Sequence, residues 1–483
     1  MKRNKITALL MATVMLFSTA AYAADGVNTQ EEQARAYSDN MLKNMVRVYA
    51  HNIADNYYYG INDEELLFSI ICKTIEEGKF NINSAIKAMI DALDDEHARF
   101  YTAQEYLELT TDIAGEFSGI GVTITQNENG IEVLSVMEGS PAIKAGIMKG
   151  DYIIAVNGQS VLGMEITSVK NLIVGENGTE VNVTVKRGEE EIVLTCVRGA
   201  VKMTYTQTKM LADDIAYLKL IQFSKTAAEE VRNYVKDLQS KSVKKLVLDL
   251  RDNPGGDLDT ALEIANIFIS MGRIGELRYK DESKNKYLYS ENRNAPRLKI
   301  AVLVNENSAS ASELLSMAFQ GRGAGKLVGT KTFGKGSMQV VTKAVTGVGM
   351  KYTIGEFYTA KGQRVHTVGI TPDIVVENEY VPVDEESFAK IDFDRIEEGA
   401  NGGDMTLALE QRLLALGFFE GEPDETFDEE TKDAVISFQA GLGYDVSGIP
   451  GFYEYLYLND YTYDFDIVVD KQLDAAIEYL NKK

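Results

Sequence analysis

Residues Lys299–Phe319 read KIAVLVNENSASASELLSMAF, and the fold turns on this stretch. Lys299 to Val304, continuously apolar from Ile300 onward, has the length of a strand buried on both faces. Ala311, Leu314, Leu315, Ala318 and Phe319 then fall at spacings i, i+3, i+4, i+7 and i+8, one face of a helix running from Ser310 to Phe319. The same alternation continues on both sides. Ile215 to Phe223 reads as a strand, Thr226 to Gln239 as a helix, Lys245 to Leu250 as a buried strand and Asp257 to Ile269 as a helix, with several strands between Gln339 and Val376. Strands and helices in this order imply an α/β layer domain over residues 201–392.

Ser310 stands at the start of that helix, in Ser308-Ala309-Ser310-Ala311-Ser312-Glu313. A nucleophile there gains small neighbours that admit a substrate backbone, and free N–H groups, such as that of Ala311, that can receive an oxyanion. The competing reading is structural, because Ser310-x-x-Glu313 is also a capping box. A serine nucleophile needs a base, and the chain has three histidines. His51 and His97 fall in a helical N-terminal region, where surface or packing roles suit them. His366 lies in an alternating, strand-like pattern, Arg364 to Val368, with no acid close in sequence. A Ser-His-Asp triad is poorly supplied.

Lysine is the alternative base. Lys335 sits in Thr332-Phe333-Gly334-Lys335-Gly336, and the 42 residues from Leu314 to Gly355 contain no acid and six bases. A lysine base must fall from about 10.4 toward 7 or 8, about 4 kcal/mol of destabilised ammonium, and burial away from carboxylates pushes that way. The competing reading is a solvated lysine on a Gly-rich loop. Gly329 to Gly336 also approaches a phosphate-binding P-loop, but Gly336 lacks the hydroxyl that would hold Mg²⁺, and strand-like runs follow where a helix is required. A third element, Leu250-Arg251-Asp252-Asn253-Pro254-Gly255-Gly256, joins a buried strand to a helix; Gly255 or Gly256 could turn a backbone N–H toward a ligand, or simply make an ordinary turn.

Working outward, residues from about 30 to 110 carry helical spacings such as Ile86, Met89, Ile90 and Leu93. Short alternating runs from Ile120 to Cys196, separated by Gly-containing turns, fit a compact, mainly β module. Residues 384–430 hold 16 acids and 3 bases, and within them an acidic, Gly-containing joint near 395–404 leads into a last small domain. The full 483-residue chain carries 49 basic and 73 acidic residues, a formal charge of −24, which argues against nucleic acid and anionic headgroups as partners. Lys2, Arg3 and Lys5, an apolar run to Thr19 and Ala21-Tyr22-Ala23 read as a secretory signal over residues 1–23, with an uncleaved anchor as the alternative. Cys72 and Cys196 are too few for a disulfide framework or a zinc site and read as core residues.

Together the Asn-Pro-Gly-Gly turn, the Ser-Ala-Ser-Ala-Ser-Glu helix start, Thr-Phe-Gly-Lys-Gly placed 25 residues after Ser310, and Gly369-Ile370-Thr371-Pro372-Asp373 resemble the C-terminal processing peptidases, the tail-specific Ser-Lys proteases of peptidase family S41. The resemblance spans nearly the whole mature chain. It implies a multidomain α/β protein: a helical N-terminal dimerisation region (24–113), a mainly β PDZ domain (114–200), a protease core of the ClpP/crotonase-like type (201–392), an acidic linker (393–404) and a small helical domain (405–483). It implies Ser310 as nucleophile, Lys335 as base and Gln339 as the residue that orients the lysine, with the N–H groups of Ala311 and Gly255 or Gly256 as oxyanion hole.

The β module resembles a PDZ domain in Phe117 to Val122 and in Gly139 to Ile147, leading to Gly150-Asp151, so Gly119, Ile120 and Gly121 would hold the carboxylate of an extended peptide. Residues 407–445 resemble a peptidoglycan-binding module, although its usual Asp-Gly-x-Phe-Gly turn stands here as Asp424-Glu425-Thr426-Phe427-Asp428, which weakens the case for wall glycan. The expectation is an exported homodimeric endopeptidase acting on proteins with accessible C-termini, without metal or nucleotide. The alternative is a wall-attached PDZ scaffold with an inactive or latent core.

Overall fold

The computed structural model describes residues 27–482 except 79, 115, 128–129, 138, 383–386, 397–401, 420, 443–447 and 462–465. The expected signal over 1–23 lies outside the described residues. The chain divides into two compact units, one of residues up to Ala103 with Gln339–Ile354, the other of Gln104–Met338 with Gly355–Lys483.

In the first unit, helices Val27–Asn56, Asp63–Glu77 and Ile82–Asp91 surround Ile53, Leu66, Ile86 and Met89. Asparagines start two of them: Asn62 accepts the Glu65 N–H, and Asn81 accepts those of Asn83 and Ser84. Val348, Met350 and Tyr352 complete this core, and Arg99–Tyr101 pairs antiparallel with Gly349–Lys351. Part of the segment read from sequence as core sheet therefore packs with the N-terminal helices. The core reading of Cys72 is overturned, because its side chain is exposed. Leu66 and Ile70 fill the inner stripe of its helix, leaving Phe68, Ile71, Cys72 and Ile75 outside.

In the second unit a six-stranded sheet runs in the order Thr206–Ala212, Ile215–Leu220, Lys245–Asp249, Lys299–Val304, Lys326–Gly329, Ile374–Val375, antiparallel at the first pair and parallel thereafter. Helices Ala227–Ser240, Leu258–Phe268 and Ala311–Arg322 bury their apolar faces with this sheet in one core. The chain's last helix, Lys471–Asn481, lays Leu473, Ala476 and Leu480 against Tyr217, Val247 and Leu303 in a second. That helix differs from its reading as part of a separate small domain. The small domain's own core ends with Tyr455 and Leu458, packed with Met405, Leu409, Leu413, Val435 and Phe438.

The β module has its predicted strands, Val122–Asn127, Gly130–Val136, Tyr152–Val156, Glu180–Arg187 and Glu190–Val197, with Val122–Asn127 at the edge. A ribbon of Glu116–Gly119 with Gly199–Lys202 draws its two ends together. Cys196 is buried as expected, and burial pushes its thiol up to about 11. A hairpin that the sequence reading passed over, Gly272–Tyr279 with Lys286–Ser290, pairs onward with Gly355–Thr359. The strand expected at Arg364–Val368 is instead a bridge from Arg364 to Tyr358 followed by a turn, with Thr367 at φ 61°. Among the described residues no helix is long and apolar enough to cross a membrane.

Candidate active site

Three loops leave the carboxyl ends of adjacent parallel strands and carry the residues singled out above: Leu250–Gly256, Asn305–Ser310 and Thr330–Gly336. Hydrogen bonds stitch the first two together. Ser308 Oγ donates to the Leu250 carbonyl (2.8 Å), while the Ala309 N–H (3.1 Å) and Ser312 Oγ (2.9 Å) donate to the Asn253 carbonyl. The third joins them where the Phe333 N–H donates to the Ser308 carbonyl (3.1 Å).

Glu313 gathers the site from below. Its side chain is fully buried, and each carboxylate oxygen accepts two hydrogen bonds. Oε1 takes Thr332 Oγ1 (2.6 Å) and the Gly334 N–H (2.8 Å); Oε2 takes the N–H of Ser310 (3.0 Å) and that of Lys335 (2.7 Å). Because Ser310 and Lys335 share one acceptor atom, their backbone nitrogens lie within about 6 Å of each other. Burial holds the Glu313 carboxyl above its ordinary range, and the four donors offset only part of that rise. The sequence reading gave Glu313 only a capping role. The Ser-x-x-Glu spacing signalled its bond to Ser310, whereas nothing in the sequence signalled its hold on Thr332, Gly334 and Lys335.

Ser310 adopts φ 55°, ψ −111°, a positive-φ conformation that L side chains rarely take, at the junction between loop and helix. Such strain costs on the order of 1–3 kcal/mol and is kept where the surroundings over-determine it. Gly255 backs directly onto this residue. A Cβ there would stand 2.8 Å from the Ala309 carbonyl oxygen, 2.9 Å from Ser310 Cβ and 3.0 Å from the Ala311 nitrogen. The Gly255 N–H already donates to Asn253 Oδ1 (2.9 Å), whereas that of exposed Gly256 meets no acceptor among the described residues.

Gln339, four residues beyond Lys335, donates its amide to Thr353 Oγ1 (3.1 Å). His51 and His97 belong to the N-terminal unit; exposed His51 lies between Asp55 (3.3 Å) and Asp63 (3.2 Å). His366 abuts the lysine loop, since a Cβ on Gly336 would fall 2.3 Å from its backbone nitrogen. It also has an acid facing it that the sequence did not reveal, Glu356, which is buried and paired with Arg364 (2.6 Å).

In the β module, Gly119, Ile120 and Gly121 lie at the head of the edge strand Val122–Asn127, which packs beside helix Ile166–Ile173. The Ile120 carbonyl accepts the Ala142 N–H (2.8 Å), and Gly121 has φ 78° with room for no Cβ, since Ser140 Cβ would be 2.5 Å away.

Comparison with known proteins follows the same divisions. The family model for peptidase family S41 matches residues 214–376, that for a PDZ domain residues 132–187 and that for a peptidoglycan binding domain residues 402–452. The chain is similar to the carboxy-terminal processing protease CtpA of Bacillus subtilis (strain 168), with 29% identity over 99% of this chain and 97% of the relative. It is similar to a probable CtpA-like serine protease of Staphylococcus epidermidis (strain ATCC 35984), with 32% identity over 76% of this chain and 74% of the relative. Among solved structures, the photosystem II D1 C-terminal processing protease aligns at 26% identity and a TM-score of 0.42, covering 71% of this chain and 95% of that one.

Proposed function

The chain belongs to peptidase family S41, among the carboxy-terminal processing serine proteases with a PDZ domain, and from that premise we propose that it hydrolyses peptide bonds through a seryl acyl-enzyme on Ser310 with Lys335 as the base. The observation that carries this reading is the shared acceptor, Glu313 Oε2, which joins the backbone of nucleophile and base at one buried atom. Ser310 Oγ attacks the scissile carbonyl carbon while the neutral Lys335 amine takes its proton. The oxyanion forms against the N–H groups of Ala311 and Gly256, the second donor being Gly256 because Asn253 already occupies that of Gly255. The C–N bond then breaks as the Lys335 ammonium returns its proton to the leaving amine, and water releases the acyl half by the reverse sequence. Gln339 orients the lysine in this scheme.

Substrates are proteins with accessible C-termini, captured as an added strand on the free edge of Val122–Asn127, with Gly119, Ile120 and Gly121 at the carboxylate. Work in the cell envelope follows from the peptidoglycan binding domain match and the relatives; export would be directed by the N-terminal segment, and wall glycan is the partner of residues 402–452. The exposed row Phe68, Ile71, Cys72 and Ile75, at helical spacing, supports a homodimer closed through the N-terminal unit.

Cleavage of casein by the purified full chain tests the chemistry. Ser310→Ala and Lys335→Arg are expected to be equally inactive, because a guanidinium cannot surrender its proton. Wild-type activity in the arginine variant places the base elsewhere, and cleavage by Ser310→Ala removes the nucleophile. Inhibition by EDTA would point to a metalloprotease instead.

A further inference from the structure

Bonds on the buried side join the loop Leu250–Gly256 to the loop Asn305–Ser310 through Ser308, Ala309 and Ser312. Asp252 joins the same two loops on their exposed side. Its Oδ1 accepts the side-chain amides of Asn305 (2.8 Å) and Asn307 (2.9 Å), and its N–H donates to Asn305 Oδ1 (3.0 Å). The asparagines are fixed in their turn: the Asn305 N–H donates to Ser308 Oγ (2.9 Å) and the Asn307 N–H to Asn305 Oδ1 (3.2 Å). Asp252 stands three residues before Gly255, and Asn307 three before Ser310.

The reach across sets the backbone of Asp252 at φ 61°, a left-handed conformation that Asp and Asn tolerate better than other residues with a side chain. Desolvation alone would raise its carboxyl, but the Asn307 and Asn305 amides, with Lys219 and Arg251 nearby, outweigh it and hold it below the ordinary range. The acceptor is therefore a carboxylate, and a hydrogen bond to an ionised acceptor is about twice as strong as a neutral one. The two loops leave little slack. A Cβ on Gly255 would stand 2.9 Å from Ser310 Cβ, and an oxyanion donor must lie about 2.7–3.1 Å from the oxygen it stabilises. A slip of one loop along the other would carry the Gly256 N–H out of that range.

We propose that Asp252 is a positioning residue of the reaction: its carboxylate keeps the oxyanion loop in register with the serine loop, so that the Gly256 N–H meets the oxygen charged by attack of Ser310. The inference rests on the endopeptidase reading for the reaction that is served. Because the oxyanion exists only after the substrate has bound, loss of the tie lowers kcat and leaves KM in place.

Steady-state cleavage of a fluorogenic peptide by the full chain tests this. Asp252→Ala is expected to lower kcat about tenfold with KM held, and to weaken by a like factor a peptide aldehyde, whose hemiacetal with Ser310 puts an oxygen where the oxyanion forms. Asp252→Asn keeps both the acceptor oxygen and the backbone tolerance, so it should restore kcat to within about twofold of wild type. Asn307→Ala added to Asp252→Ala should cost no more than Asp252→Ala alone. An unchanged kcat in Asp252→Ala, a change confined to KM, equal losses in the alanine and asparagine variants, or additive losses in the double variant each overturn the proposal. Hydrogen exchange over residues 250–256 and 305–310 is read in the Ser310→Ala background, where Asp252→Ala should speed exchange about tenfold and Asp252→Asn should not. Exchange that responds to Asp252 without any Ser310-dependent cleavage in the parent keeps the tie and removes the endopeptidase reading. Cleavage with neither kcat nor exchange responding removes the tie and leaves the protease.

Discussion

Ser310 holds a conformation that glycine would hold without strain, and this separates its chemical from its structural contribution. Ser310→Gly and Ser310→Ala are both expected to be inactive, yet the glycine variant should be the more stable by about 1 kcal/mol, the strain outweighing glycine's larger entropy loss. Thermal melts of the two read this directly, and equal stability means that the backbone at 310 is not strained. Glu313 makes a second case. An amide in place of its carboxylate turns one acceptor into a donor facing N–H groups, so Glu313→Gln should cost about 2–4 kcal/mol and lower kcat about 100-fold by letting the lysine loop drift. Retained kcat in a folded Glu313→Gln protein would remove the carboxylate from the positioning of Ser310 and Lys335. The capping spacing marked Ser310 and Glu313, an acid-free neighbourhood marked Lys335, and only the family resemblance tied the serine to the lysine. None of these showed that one oxygen of Glu313 serves two loops, since that depends on where adjacent strands end.

At the scale of elements, the Leu250–Gly256 turn fits against the start of the Ala311–Arg322 helix with no space for a methyl group. Gly255→Ala should therefore cost about 1–3 kcal/mol and about 100-fold in kcat, because the new Cβ displaces Ser310 itself. Gly323→Ala is the control: it too has positive φ, at 61°, but nothing lies within 4 Å, so kcat should hold while stability falls about 1 kcal/mol. Equal kcat in the two variants would mean that close packing at Gly255 is irrelevant to catalysis.

The strand Gly349–Thr359 adds a pH-dependent element. Burial alone would raise the Glu356 carboxyl, but Arg364 and the Tyr358 hydroxyl outweigh it and hold it below the ordinary range. A lowered folded value gives stability that is present above the unfolded value near about 4.3 and lost as pH falls through the folded one, so wild type should lose stability on acidification that Glu356→Gln lacks. Parallel melting curves for the two from pH 6 to about pH 3 would refute this. The alternating strands and amphipathic helices around it were legible from residue periodicity. The Gly272–Ser290 hairpin was not, because Arg273, Glu276, Arg278, Lys284 and Lys286 pair or stack along it and break the apolar alternation. The turn at His366 was also hidden, since Thr367 takes a left-handed conformation that its residue type does not announce.

The whole molecule is threaded in a way that only the fold reveals. If the exposed row on helix Asp63–Glu77 closes a homodimer, Ile75→Glu should yield monomers by light scattering without loss of melting temperature, and an unchanged mass places the interface elsewhere. The other end of the chain leaves the core, forms the small domain and comes back: Glu379–Pro382 pairs antiparallel with Asp466–Val469, and Pro382 stands directly opposite Asp466. The intervening residues 383–465 thus occupy the place of a hairpin loop, and a two-residue Asn-Gly turn could close the same ribbon. After it, Asp470 reaches Arg251 and the last helix covers the sheet through Leu473, Ala476 and Leu480, each apolar side chain contributing about 1–3 kcal/mol. Replacing 383–465 by Asn-Gly should accordingly leave a folded protein that cleaves casein at the wild-type rate and has lost any affinity for wall glycan. Deleting only Lys471–Asn481, a far smaller change, should uncover Tyr217, Val247, Leu303 and Val328 and give an aggregating, inactive chain. The reverse result, an inactive excision and an active truncation, would make the small domain rather than the returning helix part of the catalytic body.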